Sequence, residues 1–214
     1  MNLHFTEASS LAIIDRQIQE IKADISPAQY EIIRQVIYHT ADLEYESLLK
    51  FSHGALAKGA AALTAVTPII VDVPEIQVSI VPKLQQTFGN RVYCCATINT
   101  EVIDNATKAS SGLEILAAKH PNSIFIIGQD ETAMSTMVDI LKNKIIEPSL
   151  AIATPPIFIE STVKQRLLNF HIPYVCVNSA KGGSNIAAAI FNGLIRLTWQ
   201  AYRQDGFVGK QKEQ

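Results

Sequence analysis

Apolar residues in the first part of the chain recur every three to four positions. Between residues 7 and 23 they fall at Leu11, Ile14, Ile18 and Ile21, which predicts one amphipathic helix. Ser26-Pro27-Ala28-Gln29 then offers a serine cap, a proline in the first turn and a glutamine to close a capping box. The helix it starts would turn Ile32, Ile33, Val36 and Ile37 inward. Another begins near Ser52 and carries Leu56, Gly59, Ala60 and Leu63, small residues that permit close packing. Beyond residue 66 the pattern changes to five short apolar runs: Pro68–Val71, Val92–Ala96, Ile124–Ile127, Leu150–Ala153 and Tyr174–Val177. Runs this short, apolar on both faces, suit parallel strands covered on both sides. Helical stretches at 109–119, 131–143 and 161–169 separate them, and a last helix over 184–201 carries Ile186, Ile190, Leu194 and Leu197. The alternation predicts an α/β fold: an open, mostly parallel sheet of about five strands flanked by helices.

At 214 residues the chain fits one domain, expected over 1–205, followed by a polar tail at 206–214 expected to be disordered. Neither repeats nor an interdomain linker appear. With a net charge of −2 and a pI of about 6.2, no basic field exists to draw nucleic acid or an anionic membrane. An acidic ligand must therefore be met by local cations and backbone N–H groups. Neither a signal-like segment nor an apolar stretch of membrane-spanning length occurs. The three cysteines, Cys94, Cys95 and Cys176, form no C-x-x-C pair, which argues against disulfides and zinc. The expectation is a cytoplasmic protein with no metal site.

Ligands of open parallel sheets bind at the carboxyl ends of strands. That points to Asp72-Val73-Pro74, Gly128-Gln129-Asp130, Thr154-Pro155-Pro156 and Asn178–Ser184. The last segment contains Lys181-Gly182-Gly183-Ser184 between a strand and a helix. It reads either as an anion cradle of glycine backbone and helix N–H groups or as a plain turn with a serine cap. Walker, dinucleotide, nucleophile-elbow and zinc-protease motifs are all missing. His39 stands in Val36-Ile37-Tyr38-His39-Thr40-Ala41-Asp42 and reads as a structural or a catalytic histidine. His4, His53, His120 and His171 form no motif. Cys94 and Cys95, on opposite faces of a strand, read as core residues, and Trp199 and Tyr202 as packing groups.

An ordered series of segments resembles the precorrin isomerase (precorrin-8X methylmutase) family. Ser10-Leu11-Ala12-Ile13-Ile14 is similar to its early Ser-aromatic-x-Ile-Ile, and Val36 to Asp42 to its V-I-H-x-T-[GA]-D. Pro68-Ile69-Ile70-Val71-Asp72-Val73 matches P-I-I-x-D-V, and Ile127-Gly128 through Thr132-Ala133 matches I-G-x-x-x-T-A. A strand ending in Thr154-Pro155, then Lys181-Gly182-Gly183-Ser184, then Ala189 to Leu194 complete the order from about residue 5 to 202. The resemblance implies a homodimer with pockets near its interface and a carboxylate-rich corrinoid macrocycle as ligand. It implies an isomerase that moves a methyl group from C-11 to C-12 of precorrin-8X or cobalt-precorrin-8. Such a sigmatropic shift needs a proton donor and a rigid pocket, with no cofactor. Substrate contacts are implied for Ser10, Lys108, Gly128, Thr154, Lys181, Gly182, Gly183 and Ser184.

The acid falls on Tyr38 or His39. Register with Asp42 puts the family's catalytic histidine at Tyr38, and one residue on a helix is about a 100° turn. Chemistry favours His39, since a free imidazole titrates at about 6.5 and a phenol at about 10. We expect His39 to face a pocket formed by Gly128, Thr154 and Gly183, with Lys108 and Lys181 in that same pocket. Other departures from the family pattern change the charged groups of the site, with lysine at 108 keeping the charge but losing the bidentate fork. Lys108 stands for an arginine, Ser179-Ala180 for a segment with another, Glu75 for a methionine, and Val163-Lys164-Gln165 for E-S-K. A non-catalytic corrinoid or tetrapyrrole binder, or an unrelated protein holding a phosphorylated metabolite at Lys181–Ser184, are the alternatives.

Overall fold

The computed structural model describes residues 5–18, 25–101, 106–157 and 162–204. Each of the five apolar runs contains a strand, and a sixth strand joins them at one edge. The strands are β1 (Leu49–Phe51), β2 (Ile69–Val71), β3 (Val92–Cys94), β4 (Ile124–Ile127), β5 (Leu150–Ala153) and β6 (Tyr174–Val177). The helices are α1 (Phe5–Gln17), α2 (Pro27–Thr40), α3 (Tyr45–Leu48), α4 (Ala55–Thr64), α5 (Pro74–Gln85), α6 (Lys108–Lys119), α7 (Glu131–Lys142), α8 (Thr162–Leu168) and α9 (Ser184–Gln204). The sheet order is β1-β6-β5-β4-β2-β3, and every neighbouring pair is parallel except β1 with β6.

The pleat divides the core into two layers. Ile69, Val71, Ile124, Ile126, Leu150, Ile152, Val175 and Val177 face α1, α2, α4, α5 and α9, whereas Ile70, Phe125, Ile127, Ala151, Ala153 and Cys176 face α6, α7 and α8. These side chains are buried completely, which explains why the runs lack polar alternation. Each large one contributes about 1.5–3 kcal/mol of burial. Gly59 and Gly193 let α9 settle closely. A methyl at Gly59 would stand 2.8 Å from Leu150 and 2.9 Å from Leu194, and one at Gly193 2.8 Å from Ile32. Arg196 of α9 pairs with Glu31 of α2 and, at 3.7 Å, with Glu7 of α1.

Several elements differ from the sequence reading. Helix α1 ends at Gln17, with Ile18 buried behind it; Ile21 and the 206–214 tail lie outside the described residues. The run Val92–Ala96 is strand only to Cys94 and then a 3₁₀ turn over Cys95–Thr97, so the two cysteines do not alternate along one strand. They nevertheless enter opposite layers, and both are buried. Helix α5 passed unread. Its cap position is Val73, which makes no side-chain cap bond, and Pro82 interrupts its interior. Among the described residues no helix is long and apolar enough to cross a membrane.

Candidate active site

Strands β2 and β4 are neighbours, yet the chain leaves them toward opposite faces, β2 into α5 and β4 into α7. That divergence opens a crevice in which open α/β proteins commonly hold ligands. Here the crevice contains the protein's own carboxylate. Asp72 is fully buried, and its Oδ2 accepts from the N–H groups of Gly128 (3.1 Å), Gln129 (2.7 Å) and Asp130 (2.8 Å). Its Oδ1 accepts from Val73 N–H at 3.0 Å. Burial pushes the carboxyl above its ordinary range, and the three N–H groups of the β4 turn pull it back. Asp130 then caps α7 by accepting from Ala133 N–H at 2.7 Å. Gly128 is required for packing: a methyl there would stand 2.5 Å from Ile76 Cδ1 and 2.9 Å from Ala187 Cβ.

The turn after β6 lies on the end of β5. Gly183 N–H donates to Thr154 O at 2.7 Å, and Thr154 Oγ1 donates back to Gly183 O at 3.1 Å. Gly182 fits because it has no Cβ, which would stand 2.0 Å from Thr154 O; Gly183 holds φ 137°, where glycine is at home. Beneath the turn, Lys164 of α8 is 2% exposed, and its Nζ donates to Ser179 O (2.8 Å) and Lys181 O (3.2 Å). Burial lowers this ammonium to about 8. The Lys181 side chain reaches the other way. Its Nζ meets Asp42 Oδ2 at 2.6 Å and Glu44 Oε2 at 2.9 Å. Those hydrogen bonds raise the Lys181 ammonium, and the bond from Lys181 holds Asp42 below the usual carboxylate range.

Through that pair, the turn after β6 touches the end of α2. Helix α2 begins at the capping box read from Ser26 and Gln29 and stays regular through Thr40, with Ala41 left-handed at φ 54°. Tyr38 and His39 therefore point in different directions. Tyr38 lines a groove of about 460 Å³ between α1 and α2, together with Ser10, Ile13, Ile37, Ala41 and Leu43. His39 is exposed, its Nδ1 donates to Gln35 O at 2.8 Å, and its ring stands edge-on to Tyr38 at 5.2 Å. The carbonyl can only accept, so the second nitrogen, Nε2, is the one left to face a ligand.

The structure thus joins Thr154, Lys181, Gly182 and Gly183 directly, packs Gly128 against Ser184, and sets Ser10 beside Tyr38. Lys108, exposed in the first turn of α6, stands apart from them. Its helix follows β3, four strand positions from β6 in the sheet order. Sequence reading missed the part played by Asp72, Lys164, Asp42 and Glu44. Asp72 and Asp42 stood inside segments already singled out; Lys164 stood in one noted only as a departure from the family pattern, and its backbone-carbonyl partners leave no mark in the sequence. The cysteine thiols are all raised by burial, Cys176 to about 11, which leaves them inert. Among the described residues no group of His, Cys, Asp and Glu is placed to hold a metal.

A family model described as precorrin-8X methylmutase matches residues 6–197. The cobalt-precorrin-8 methylmutase of Synechocystis sp. is 30% identical over 206 residues, covering 89% of this chain and 94% of that protein. The precorrin-8X methylmutase of Pseudomonas aeruginosa is 28% identical over 197 residues, covering 86% and 93%. A crystal structure of precorrin-8x methyl mutase from Thermus thermophilus shares the fold at a TM-score of 0.83 and 27% identity, covering 92% of this chain and 99% of that one. With the same sheet, the same order of segments and a match along nearly its whole length, the chain belongs to the precorrin-8X methylmutase family.

Proposed function

We propose that this protein is an isomerase of cobalamin biosynthesis, moving a methyl group from C-11 to C-12 of precorrin-8X or cobalt-precorrin-8. The product is hydrogenobyrinic or cobyrinic acid. One observation carries the reading: the family model matches residues 6–197, nearly the whole of the described chain. The site chemistry supports it. The shift breaks one C–C bond and makes another within the same molecule, so the protein must hold a rigid macrocycle and lend it a proton. In this reading His39 in its protonated form is the proton donor, because Gln35 O holds Nδ1–H and leaves Nε2–H for the ligand. Tyr38 and Ser10 line the adjoining groove. Lys181 and Lys108, with the glycine turn, meet the peripheral carboxylates, and their placement after different strands, β6 and β3, suits a broad, flat ligand better than a small one. The protein acts as a cytoplasmic homodimer. The exposed Ile13 (55%) and Leu43 (42%) around the groove support pairing there.

The test is turnover of precorrin-8X and of its cobalt form, followed by the visible spectrum of the corrinoid product. We expect conversion, lost in His39→Ala and retained at a reduced rate in Tyr38→Phe. Full activity in His39→Ala with none in Tyr38→Phe would transfer the role to Tyr38. Tight product binding without turnover would replace the enzyme with a corrinoid binder.

A further inference from the structure

We propose that Lys164 is a positioning residue, whose buried ammonium holds the Ser179 and Lys181 carbonyls so that the turn after β6 presents Lys181 to the ligand. This rests on the ligand reading above, and the test separates the two.

The argument starts from the rarity of the arrangement. Lysine is almost never fully buried unless it is paired, and among the described residues no carboxylate forms a salt bridge with this one. Its charge is met instead by two peptide carbonyls of a single loop, at 2.8 and 3.2 Å. Carbonyls that turn down toward Lys164 fix the orientation of the peptide planes between them. The same loop is tied at two more points, by Ile157 N–H to Ala180 O at 3.3 Å and by Gly183 N–H to Thr154 O at 2.7 Å. Lys181 is held from both ends: its carbonyl by Lys164 and its ammonium by Asp42 and Glu44. Moving the carbonyl moves the cation. Glu131 of α7 and Cys176 of β6 also act on the Lys164 charge; Lys181 lies on the loop itself, and Arg166 is two residues along α8. Stability alone does not account for a charge here, since an apolar side chain of similar length in a buried site is often neutral or stabilising.

The experiment uses the full-length protein, Lys164→Met and Lys164→Arg, with hydrogenobyrinic acid as probe, read by visible absorbance. Amide exchange of Gly183 in the unliganded protein is measured against Ile190 of α9 as an internal standard. For Lys164→Met we expect about a tenfold or larger loss of affinity, KM raised more than kcat is lowered, and faster exchange at Gly183. Lys164→Arg keeps charge and donors and should retain affinity. In the unmutated protein affinity should fall as pH rises through about 8, where the ammonium becomes an amine and loses its charge-assisted bonds. The arginine variant should show no such fall. A folded Lys164→Met with unchanged affinity and unchanged Gly183 exchange overturns the proposal. If that variant does not fold, a flat affinity profile in the unmutated protein from about pH 7 to about pH 9, or an unaltered fall in Lys164→Arg, overturns it equally. Failure of the unmutated protein to bind the corrinoid refutes the ligand reading instead, and Gly183 exchange still decides the role of Lys164.

Discussion

Where the chain leaves β4, three consecutive backbone N–H groups converge on the buried carboxylate of Asp72; where it leaves β6, two carbonyls converge on the buried ammonium of Lys164. Both turns precede a helix, and both are organised by a single buried charge of opposite sign. The consequences for a ligand differ. An anion at the β4 turn uses up the N–H groups that would otherwise greet a phosphate at the start of α7. A cation at the β6 turn uses up the Ser179 and Lys181 carbonyls, while Gly183 N–H goes to Thr154 O and Lys181 N–H to Ser179 Oγ, so the turn is fastened on both its donor and its acceptor side. The N–H groups between β2 and β4 that could hold a phosphate are therefore already taken by Asp72.

The comparison breaks most visibly at Asp72. Asp72→Ala leaves four N–H groups without their acceptor and should lose about 3 kcal/mol or more. Thermal unfolding reads this as a drop of about 6–12 °C for a chain of this size. An unchanged melting temperature would mean that water replaces the carboxylate freely and that the β4 turn is not built on a charge. Gly182→Ala tests the other turn. Its methyl would overlap Thr154 O, and we expect a loss of about 1–3 kcal/mol together with weaker corrinoid binding. Normal binding in this variant would detach the β6 turn from the ligand.

Lys164 sharpens the contrast through pH. Its folded value of about 8 lies below the ordinary 10.5, so the fold disfavours the charged form. The unfolded chain holds the proton over that interval, and stability should rise from about pH 8 toward 10.5. Lys164→Met should flatten this rise in urea titrations; an identical slope would place the titrating group elsewhere. Ligand affinity should move in the opposite direction over the same range, which separates the clamp from a purely structural lysine. The smallest effect belongs to Asp42. Its carboxyl is depressed by Lys181, so its contribution is present above the ordinary 3.8 and lost as pH falls through and below that value. Lys181→Met should make the acid limb of a stability curve slightly shallower, and an unaltered limb would show that the exposed pair is fully screened.

The strands of the sheet interior were legible because burial on both faces leaves nothing but apolar side chains. Ile124–Ile127, Leu150–Ala153 and Tyr174–Val177 form with the limits read from the sequence. Strand β1 was not legible: Leu49-Lys50-Phe51 is three residues long, sits at an edge and pairs antiparallel, so its middle residue is a solvated lysine. At the candidate site the glycines and Thr154 could be read, since turn chemistry is local. The charges could not. Lys181 finds Asp42 139 positions away, and Lys164 bonds to main-chain atoms that every residue possesses. An acid at a strand end also looks the same whether it awaits a ligand or, like Asp72, fastens two turns together.

The pairing of β1 with β6 sets the order in which this protein can be completed during synthesis. Leu49, Lys50 and Phe51 meet Val177, Cys176 and Val175, partners translated more than about 120 residues later. At roughly 5–20 residues per second the wait is on the order of 6–25 s. Helix α2 waits longer still, because Gly193 and Arg196, which receive Ile32 and Glu31, belong to α9. Until the last fifth of the chain leaves the ribosome, the apolar stripe of Ile32, Ile33 and Val36 lacks this cover and the β6 side of the sheet lacks its strand. Nascent chains stalled before residue 174 should therefore be captured by hydrophobic-binding chaperones and cut rapidly by protease, and release of the complete α9 should end both at once.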